Sequence, residues 1–235
     1  MKILAIETAT EACSASLLIA DDNVDDSSKI TLFSRFQLAP REHTKLILPM
    51  LDEVLEEAKI PLNEVDAIAF GRGPGAFTGL RIATGVAQGI ALSVDKPLIP
   101  VSTLAALALH ATEQDAFTHN NHTLVAALDA RMGEIYWGSY ALKNGTIESI
   151  SEEQVSIQED ILNSIGNESI IAIGNGWEIS DEKLPENICV IEHCLPSAEY
   201  IARLALPLLK AHKTVAIEDA QPIYIRNNVA KKSAK

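Results

Sequence analysis

Residues 71–92 read GRGPGAFTGLRIATGVAQGIAL, a glycine-rich loop that leads into a run of small residues. The apolar stretch before it, VDAIAFG at 65–71, is typical of a buried strand. A strand, a glycine loop and a helix in succession form the repeating unit of an α/β fold. The glycines have two explanations at this point: the loop holds a phosphate at the helix start, or the small residues let a second helix approach closely.

The predicted helix over 78–93 favours the second explanation. Gly85 and Gly89 are four residues apart and share one face. A glycine inside a helix costs about 0.8–1 kcal/mol relative to alanine, so two of them need a compensating reason. Close approach of another helix supplies one, and that helix belongs either to this chain or to another subunit.

Known phosphate motifs do not match the loop. A Walker loop requires Gly-Lys-Ser/Thr, whereas Gly79 is followed by Leu80 and Arg81, and the dinucleotide pattern also fails. Gly73, Gly75 and Thr78 stay as candidates for a phosphate site or for an ordinary turn.

The first half of the chain alternates strands and helices around this unit. Apolar runs predict strands at 3–6, 12–20 and 30–38, which together suggest a meander. Apolar residues recur every three or four positions over 46–58 and predict a helix, in which Pro49 predicts a kink or a break. A short strand at 97–102 and an apolar helix at 104–111 follow.

The second half repeats this alternation after the polar stretch TEQDAFTHNNHT at 112–123. A hairpin is predicted around RMG at 131–133, followed by a strand at 169–176 and by a helix at 198–211 that Pro207 interrupts. The prediction is therefore α/β with two lobes. The N-terminal lobe takes residues 1–111 and the tail from about 214–235, and the smaller C-terminal lobe takes 112–213.

Composition excludes several classes of function. The chain has 235 residues, is 47% hydrophobic, and carries a net charge of −13 with a pI near 4.8. A protein that grips nucleic acid on its own usually needs a basic face, so any RNA contact is expected through a partner. Apolar stretches are too short or too charged to predict a signal peptide or a membrane span, and the protein is expected to be soluble and cytoplasmic.

Cysteines and histidines do not suggest a metal centre. Cys13, Cys189 and Cys194 lack the spacing of a disulfide framework or a zinc site. His43 has no second ligand-type residue one helical turn away, so a structural or interfacial role is expected instead. Three further histidines, His110, His119 and His122, lie in or near the polar stretch and are expected to face solvent.

Five segments together resemble the TsaB (YeaZ) family: ILAIETATEACSASL, REHTKLILPML, GRGPGAFTGLRIATGVAQGIAL, DARMGEIYW and PIYIRNNVA. The resemblance implies the actin-like, sugar kinase and Hsp70 (ASKHA, ribonuclease H-like) fold. It further implies a role in forming N6-threonylcarbamoyladenosine at position 37 of tRNAs that read ANN codons. TsaD, the catalytic paralogue, and the ATPase TsaE are the implied partners, and a homodimer is expected when the chain is alone.

The same resemblance implies that this chain lacks catalytic parts. The metal histidines of TsaD fall here on Thr103 and Leu107, and its Ser-Gly-Gly-His phosphate turn falls on residues 129–132. An alkyl chain and a hydroxyl do not replace two imidazoles at a metal. The adenosine turn has only IGNGW at 173–177 as a faint candidate. We therefore expect a non-catalytic subunit with no cofactor of its own, with ATP, ADP and metal bound only alongside TsaD and TsaE.

Docking to TsaD, or to a second copy, is assigned to the two helices of the first half. The predicted interface residues are Leu46, Leu48, Met50, Phe77, Leu80, Arg81, Gly85, Val86, Gln88 and Gly89. Glu7, which the superfamily pattern places near phosphate, either keeps that role or caps the neighbouring turn.

Asp129, Arg131 and Glu134 form a charged cluster in the hairpin. They have three possible roles: an acid, cation and base set, salt bridges across the hairpin, or a partner contact. The competing functions are an M22-type glycoprotease-like hydrolase and weak standalone binding of ATP or ADP. The sequence contains no GxSxG elbow that would support a serine hydrolase.

Overall fold

Two mixed β-sheets form the framework of the chain in a computed structural model that describes residues 1–21, 30–114, 123–143, 146–179 and 184–226. The first sheet has the strand order β3-β2-β1-β4-β5. Its strands are β1 Lys2–Glu7, β2 Ala12–Ala20, β3 Ile30–Leu38, β4 Ala67–Gly73 and β5 Leu98–Ser102. The first three strands pair antiparallel as the predicted meander, and β4 and β5 extend the sheet in parallel.

The second sheet repeats this topology, with the order β11-β10-β6-β7-β8 and with β9 paired to β7. Its strands are β6 Thr123–Asp129, β7 Ile135–Lys143, β8 Thr146–Ser149, β9 Gln154–Ser156, β10 Ile170–Ile173 and β11 Ile188–Ile191. In each sheet a central strand has an antiparallel neighbour on one side and a parallel one on the other. The prediction of α/β with a repeated strand pattern is confirmed.

Five α-helices of the described residues fill the layers around the two sheets. They are α1 His43–Ala58, α2 Phe77–Val94, α3 Thr103–Ala111, α4 Gln158–Ile165 and α5 Ala198–Lys210. Helices α1 and α2 cover one face of the first sheet, while α5 packs on its other face. Helix α3 meets α5 and packs on the second sheet, and α4 covers the far face of that sheet. The layer order is therefore α1/α2, first sheet, α5/α3, second sheet, α4.

No helix break occurs at either proline, so the interruption predicted at Pro207 is wrong, and of the kink or break predicted at Pro49 the break is absent. Helix α1 continues across Pro49, and α5 continues across Pro207 to Lys210. Both prolines lie on the exposed side of their helix, where water can solvate the carbonyl that loses its N–H partner.

Elements α4, β9 and β11 have no counterpart in the sequence prediction. They have eight, three and four residues, which is too short for an apolar period to stand out. Residues 22–29, the histidines His119 and His122, and the C-terminal residues 227–235 lie outside the described residues.

The lobe boundary between residues 111 and 112 stays a prediction. One sheet lies on each side of it, but α5, from the second half, packs against β1, β2, β4 and β5 of the first sheet. Val215 also returns to the first sheet and forms a bridge with Leu98.

Candidate functional site

Contacts inside the chain account for three glycines: Gly71 near the end of β4, Gly75 in the loop and Gly79 in the first turn of α2. A Cβ on Gly71 would lie 2.0 Å from Glu7 Oε2, and a Cβ on Gly75 would lie 2.6 Å from the carbonyl oxygen of Ala9. The closest approach is at Gly79, where a Cβ would lie 1.9 Å from the carbonyl oxygen of Thr8. These glycines are therefore required by packing of the loop against the turn that links β1 and β2.

Glu7 serves this turn from the buried end of β1. Its carboxyl accepts the backbone N–H of Ala9 at 2.6 Å and the hydroxyl of Thr103 at 3.0 Å. Burial raises the pKa of Glu7 to about 7, against hydrogen bonds that lower it. In this structure Glu7 caps the turn, which is one of its two predicted roles, and it is not exposed to the cleft described below.

The side chains at the two positions aligned with the metal histidines of TsaD are also buried. Thr103 is fully buried and bonded to Glu7, and Leu107 lies in the core that includes α3 and α5. Among the residues that the structure describes, no three His, Cys, Asp or Glu side chains are grouped to hold a metal ion.

Gly85 and Gly89, further along α2, have no such contacts. Gly85 and Gly89 are exposed, and a Cβ on either would meet no atom within 4 Å. Packing within this chain therefore does not explain them. Of the two origins predicted for the approaching helix, an internal one is excluded for the described residues.

The exposed face of α2, hereafter the α2 face, is apolar around these glycines. It consists of Phe77, Arg81, Gly85, Gly89 and Leu92, in which Phe77 and Leu92 are 52% and 72% exposed. Arg81 is the only charged residue of the whole helix, in a chain of net charge −13. A large apolar residue exposed next to open glycines is typical of a protein contact surface.

The exposure expected of two predicted interface residues, Met50 and Leu80, is wrong. Met50 and Leu80 are 7% and 1% exposed: Met50 packs in the core between α1 and the first sheet, and the Leu80 side chain lies next to Gly73 at the end of β4. Leu46 and Val86 are half-buried, and Leu48 on α1 is 52% exposed.

The segment 217–226 lies along the edge of α2. The Gln88 side-chain amide donates to the carbonyls of Ile217 and Ala220, both at 3.0 Å. Gln88 is therefore used to hold this segment, although a polar contact with a partner was predicted for it. Next to it, Arg81 Nε donates to the Tyr224 hydroxyl at 3.2 Å, and the Arg81 guanidinium stacks 3.6 Å from the Phe77 ring centroid.

A groove of about 330 Å³ runs between α2 and this segment. Gly85 lies in it between Arg81 and Gln88, with Pro222 and Tyr224 on the opposite side. A side chain on Gly85 would fill part of the groove, which makes this glycine the most direct test of the surface.

A larger cleft of about 1180 Å³ opens between the two sheets. The loop 74–79, the β6–β7 hairpin and residues 223–226 line it, and Thr78 and Arg41 are exposed along it. Gly73, just before the loop, has φ of +101°, and the N–H of Ile223 donates to the Arg72 carbonyl at 2.8 Å beside it. Gly73 thus serves a backbone turn next to residues 223–226.

The hairpin cluster forms salt bridges. Arg131 pairs with Asp129 at 3.0 Å, and Glu134 pairs with Arg226. Arg226 also donates to the Arg131 carbonyl at 3.3 Å, so residues 223–226 are tied to the hairpin. Arg131 and Met132 have φ of 66° and 61°, and the Arg131 side chain is 85% exposed although it is paired with Asp129.

His43 has a structural partner. It is buried at the start of α1, and its Nε2 lies 2.9 Å from the Thr10 carbonyl oxygen. This bond joins α1 to the β1–β2 turn and agrees with the structural role expected from the sequence.

Sequence reasoning missed three residues: Leu92 on the α2 face, and Tyr224 and Arg226, which line the cleft. Leu92 lies three residues after Gly89, so an i+3 step along the same helix face would have found it. Tyr224 and Arg226 are more than 90 residues from their partners along the chain, and no local pattern identifies such contacts.

Known proteins resemble the chain over nearly its full length. The family model "TsaD: tRNA N6-adenosine threonylcarbamoyltransferase" matches residues 37–233. A protein of Escherichia coli strain K12 named "tRNA threonylcarbamoyladenosine biosynthesis protein TsaB" is 41% identical over 98% of this chain and 96% of its own length. A Haemophilus influenzae protein of the same name is 38% identical over 97% of this chain and 95% of its own.

Solved structures agree with these sequence matches. The structure described as "YeaZ from Pseudomonas aeruginosa" superposes with a TM-score of 0.83 at 37% identity, covering 95% of this chain and 99% of that one. A second one is described as "an uncharacterized protein with similarity to peptidase YEAZ from Pseudomonas aeruginosa". It has the same TM-score and identity and covers 96% of this chain and 99% of that one.

Proposed function

The chain belongs to the TsaB family of tRNA threonylcarbamoyladenosine biosynthesis proteins, and we propose that it acts there as a non-catalytic subunit that docks on TsaD through the α2 face. The reaction it supports is the formation of N6-threonylcarbamoyladenosine at position 37 of tRNAs that read ANN codons. Metal, ATP and ADP are bound with TsaD and TsaE, and tRNA is reached through the complex. Without TsaD, two copies pair through the same face.

The observation that carries this proposal is the pair of exposed glycines on α2. Two glycines inside an exposed helix cost about 1 kcal/mol each relative to alanine, and nothing in the described chain uses the space above them. A helix of a partner that approaches the backbone here gains contact area from Phe77, Leu92 and Leu48.

A lipid membrane is the alternative to a protein partner that could cover the apolar face of α2. Helix α2 is long enough and apolar enough to cross a membrane, and 33% of its residues are buried. One side of the helix, with Ala83, Ala87 and Ala91, packs fully against the first sheet. A helix fixed to a sheet in this way presents one face only, which suits a protein partner.

TsaD fits as the partner because the two chains are related. The TsaD family model matches residues 37–233, a range that contains both α1 and α2. Two related folds can pair by a pseudo-twofold axis that places the same helices against each other, and two identical copies can pair by a true twofold axis.

The non-catalytic role draws support from Thr103 and Leu107. The hydroxyl at the first position is bonded to Glu7, and the alkyl chain at the second is packed in the core. Neither side chain supplies the imidazole that the resemblance places there in TsaD.

The experiment replaces Gly85 by leucine, which fills the groove and blocks backbone approach. We expect the Gly85→Leu chain to be folded, to lose pairing with purified TsaD in sedimentation velocity, and to fail in an in vitro tRNA modification assay with TsaD, TsaE and threonylcarbamoyl-adenylate. Asn163→Leu is the matched control, since it places the same side chain on an exposed position of α4. An intact complex with Gly85→Leu would reject the α2 face as the docking surface.

A hydrolase is the alternative suggested by the peptidase wording of one solved structure. Of the described histidines, His43 and His110 are hydrogen-bonded to backbone carbonyls, and none has a serine or cysteine side chain as its partner. Turnover of a peptide or glycopeptide substrate by the purified chain alone would favour this alternative over a scaffold.

Weak nucleotide binding is the second alternative, and the cleft of about 1180 Å³ is the observation that favours it. Calorimetry with ADP on the isolated chain, repeated after addition of TsaD, separates it from the scaffold proposal. Binding by the isolated chain supports this alternative, whereas binding only with TsaD supports a shared site.

A further inference from the structure

The carboxylate of Glu153 receives donors from both sheets. It lies in the loop between β8 and β9, with its side chain 13% exposed. Tyr140, from β7 of the same sheet, donates its hydroxyl at 3.0 Å. Arg72 Nη1 at 3.3 Å and the Ser102 hydroxyl reach it from the first sheet.

Both residues that donate from the first sheet also accept a backbone N–H from another segment. Arg72 is at the end of β4, and its backbone carbonyl accepts the N–H of Ile223. Ser102 ends β5, and its hydroxyl oxygen also accepts the Ala105 N–H as the N-cap of α3. Movement of Glu153 would therefore disturb both the cap of α3 and the salt bridge to β4.

Between the sheets the helices α3 and α5 pack on one another. Packed helices of this kind allow small sliding motions that open or close a cleft. At the far end of α3, Glu113 accepts from Tyr200 and Arg203 of α5. Glu153 lies at the opposite end, next to the start of α3.

We propose that Glu153 is a clamp that fixes the second sheet relative to the first, so that the cleft keeps one opening. The clamp consists of the contacts from Arg72 and Ser102, which cross between the sheets, and the contact from Tyr140 only positions the carboxylate. This proposal does not depend on the docking of a partner.

The test measures the distance between the two sheets by pulsed electron paramagnetic resonance on the full chain. Spin labels are attached at Glu56→Cys on α1 and Asn163→Cys on α4, both exposed, and the exposed native thiol is removed by Cys189→Ser. In this parent a single narrow distance distribution is expected. Arg72→Met and Glu153→Ala are each expected to widen it about twofold through sliding at the helix contact.

Tyr140→Phe is the matched control, because it removes one hydrogen bond to the same carboxylate within one sheet. Its distribution is expected to keep the parent width, and the circular dichroism of every variant is recorded. If Glu153→Ala does not fold, Arg72→Met decides the question. Parent width in Arg72→Met, or equal widening in Tyr140→Phe, would overturn the clamp.

Discussion

Glu7 is a fully buried carboxyl whose hydrogen-bond donors are all neutral: the backbone N–H groups of Thr8 and Ala9 and the Thr103 hydroxyl. Burial disfavours its charged form and raises its pKa from 4.5 to about 7. Gly71 owes its lack of a side chain to the same carboxyl, which occupies the space that a Cβ would need. One acidic residue thus determines part of the glycine loop and ties β1 to α3.

The raised pKa predicts how stability changes with pH. Between about pH 4.5 and 7 the folded chain binds a proton that the unfolded chain has lost, so the free energy of unfolding falls as pH rises through this range. Glu7→Gln removes the titration, while its amide oxygen can accept the Ala9 N–H and its amide NH2 can donate to the Thr103 hydroxyl oxygen. Its stability relative to the parent should be about 2–3 kcal/mol more favourable at pH 8 than at pH 5, by urea unfolding at both values.

Glu64→Gln serves as the control for Glu7, because Glu64 is an exposed carboxyl paired with Lys2. Its effect should be small at both pH values. An equal effect of Glu7→Gln at pH 5 and pH 8 would contradict the assigned pKa.

At the scale of elements, α2 carries glycines of two kinds. Gly79 contacts the β1–β2 turn, whereas Gly85 and Gly89 face open space. The sequence predicted the helix and the shared face of the last two. It did not decide between phosphate binding and packing for the loop, because the contacts with Thr8 and Ala9 join residues about 70 positions apart.

Alanine substitutions should separate these two kinds of glycine. Gly79→Ala is expected to lower the free energy of unfolding by about 2 kcal/mol or more, because its Cβ would collide with the Thr8 carbonyl. Gly85→Ala is expected to raise it by about 0.5–1 kcal/mol through helix propensity. Urea unfolding of the isolated variants measures both, and a loss of stability in Gly85→Ala would mean that this position is not free.

Other elements show what sequence reasoning can reach. The long strand β2, with its clear apolar pattern, was placed at its observed bounds, and the hairpin at RMG was also placed correctly. Burial side was harder to predict: Met50 and Leu80 belong to apolar helix patterns like those of their exposed neighbours, and only the packed sheet determines which residues turn inwards.

At the scale of the whole molecule, one topology occurs twice and the actin-like fold results. The end of the described chain joins these repeats. Val215 pairs with Leu98, Gln88 holds the carbonyls of Ile217 and Ala220, and Arg226 reaches the hairpin of the second sheet.

Replacing Gln88 should therefore affect the whole segment 217–226. Gln88→Leu leaves two carbonyls without their amide donor, and we expect a loss of about 1–3 kcal/mol in unfolding free energy. Hydrogen exchange at residues 215–224 should be faster in this variant. Gln37→Leu, at an exposed position of β3, is the control, and unchanged exchange in Gln88→Leu would show that other contacts suffice to hold the segment.

The placement of α5 has a consequence for synthesis on the ribosome. One face of the first sheet is covered by a helix that begins at Ala198, and Leu98, which pairs with Ile68 on one side, finds its partner on the other side only at Val215. The nascent N-terminal strands therefore leave the exit tunnel long before the residues that cover them have been translated. During that interval their apolar side chains are accessible to chaperones, and the first half completes its packing only after the second half has emerged.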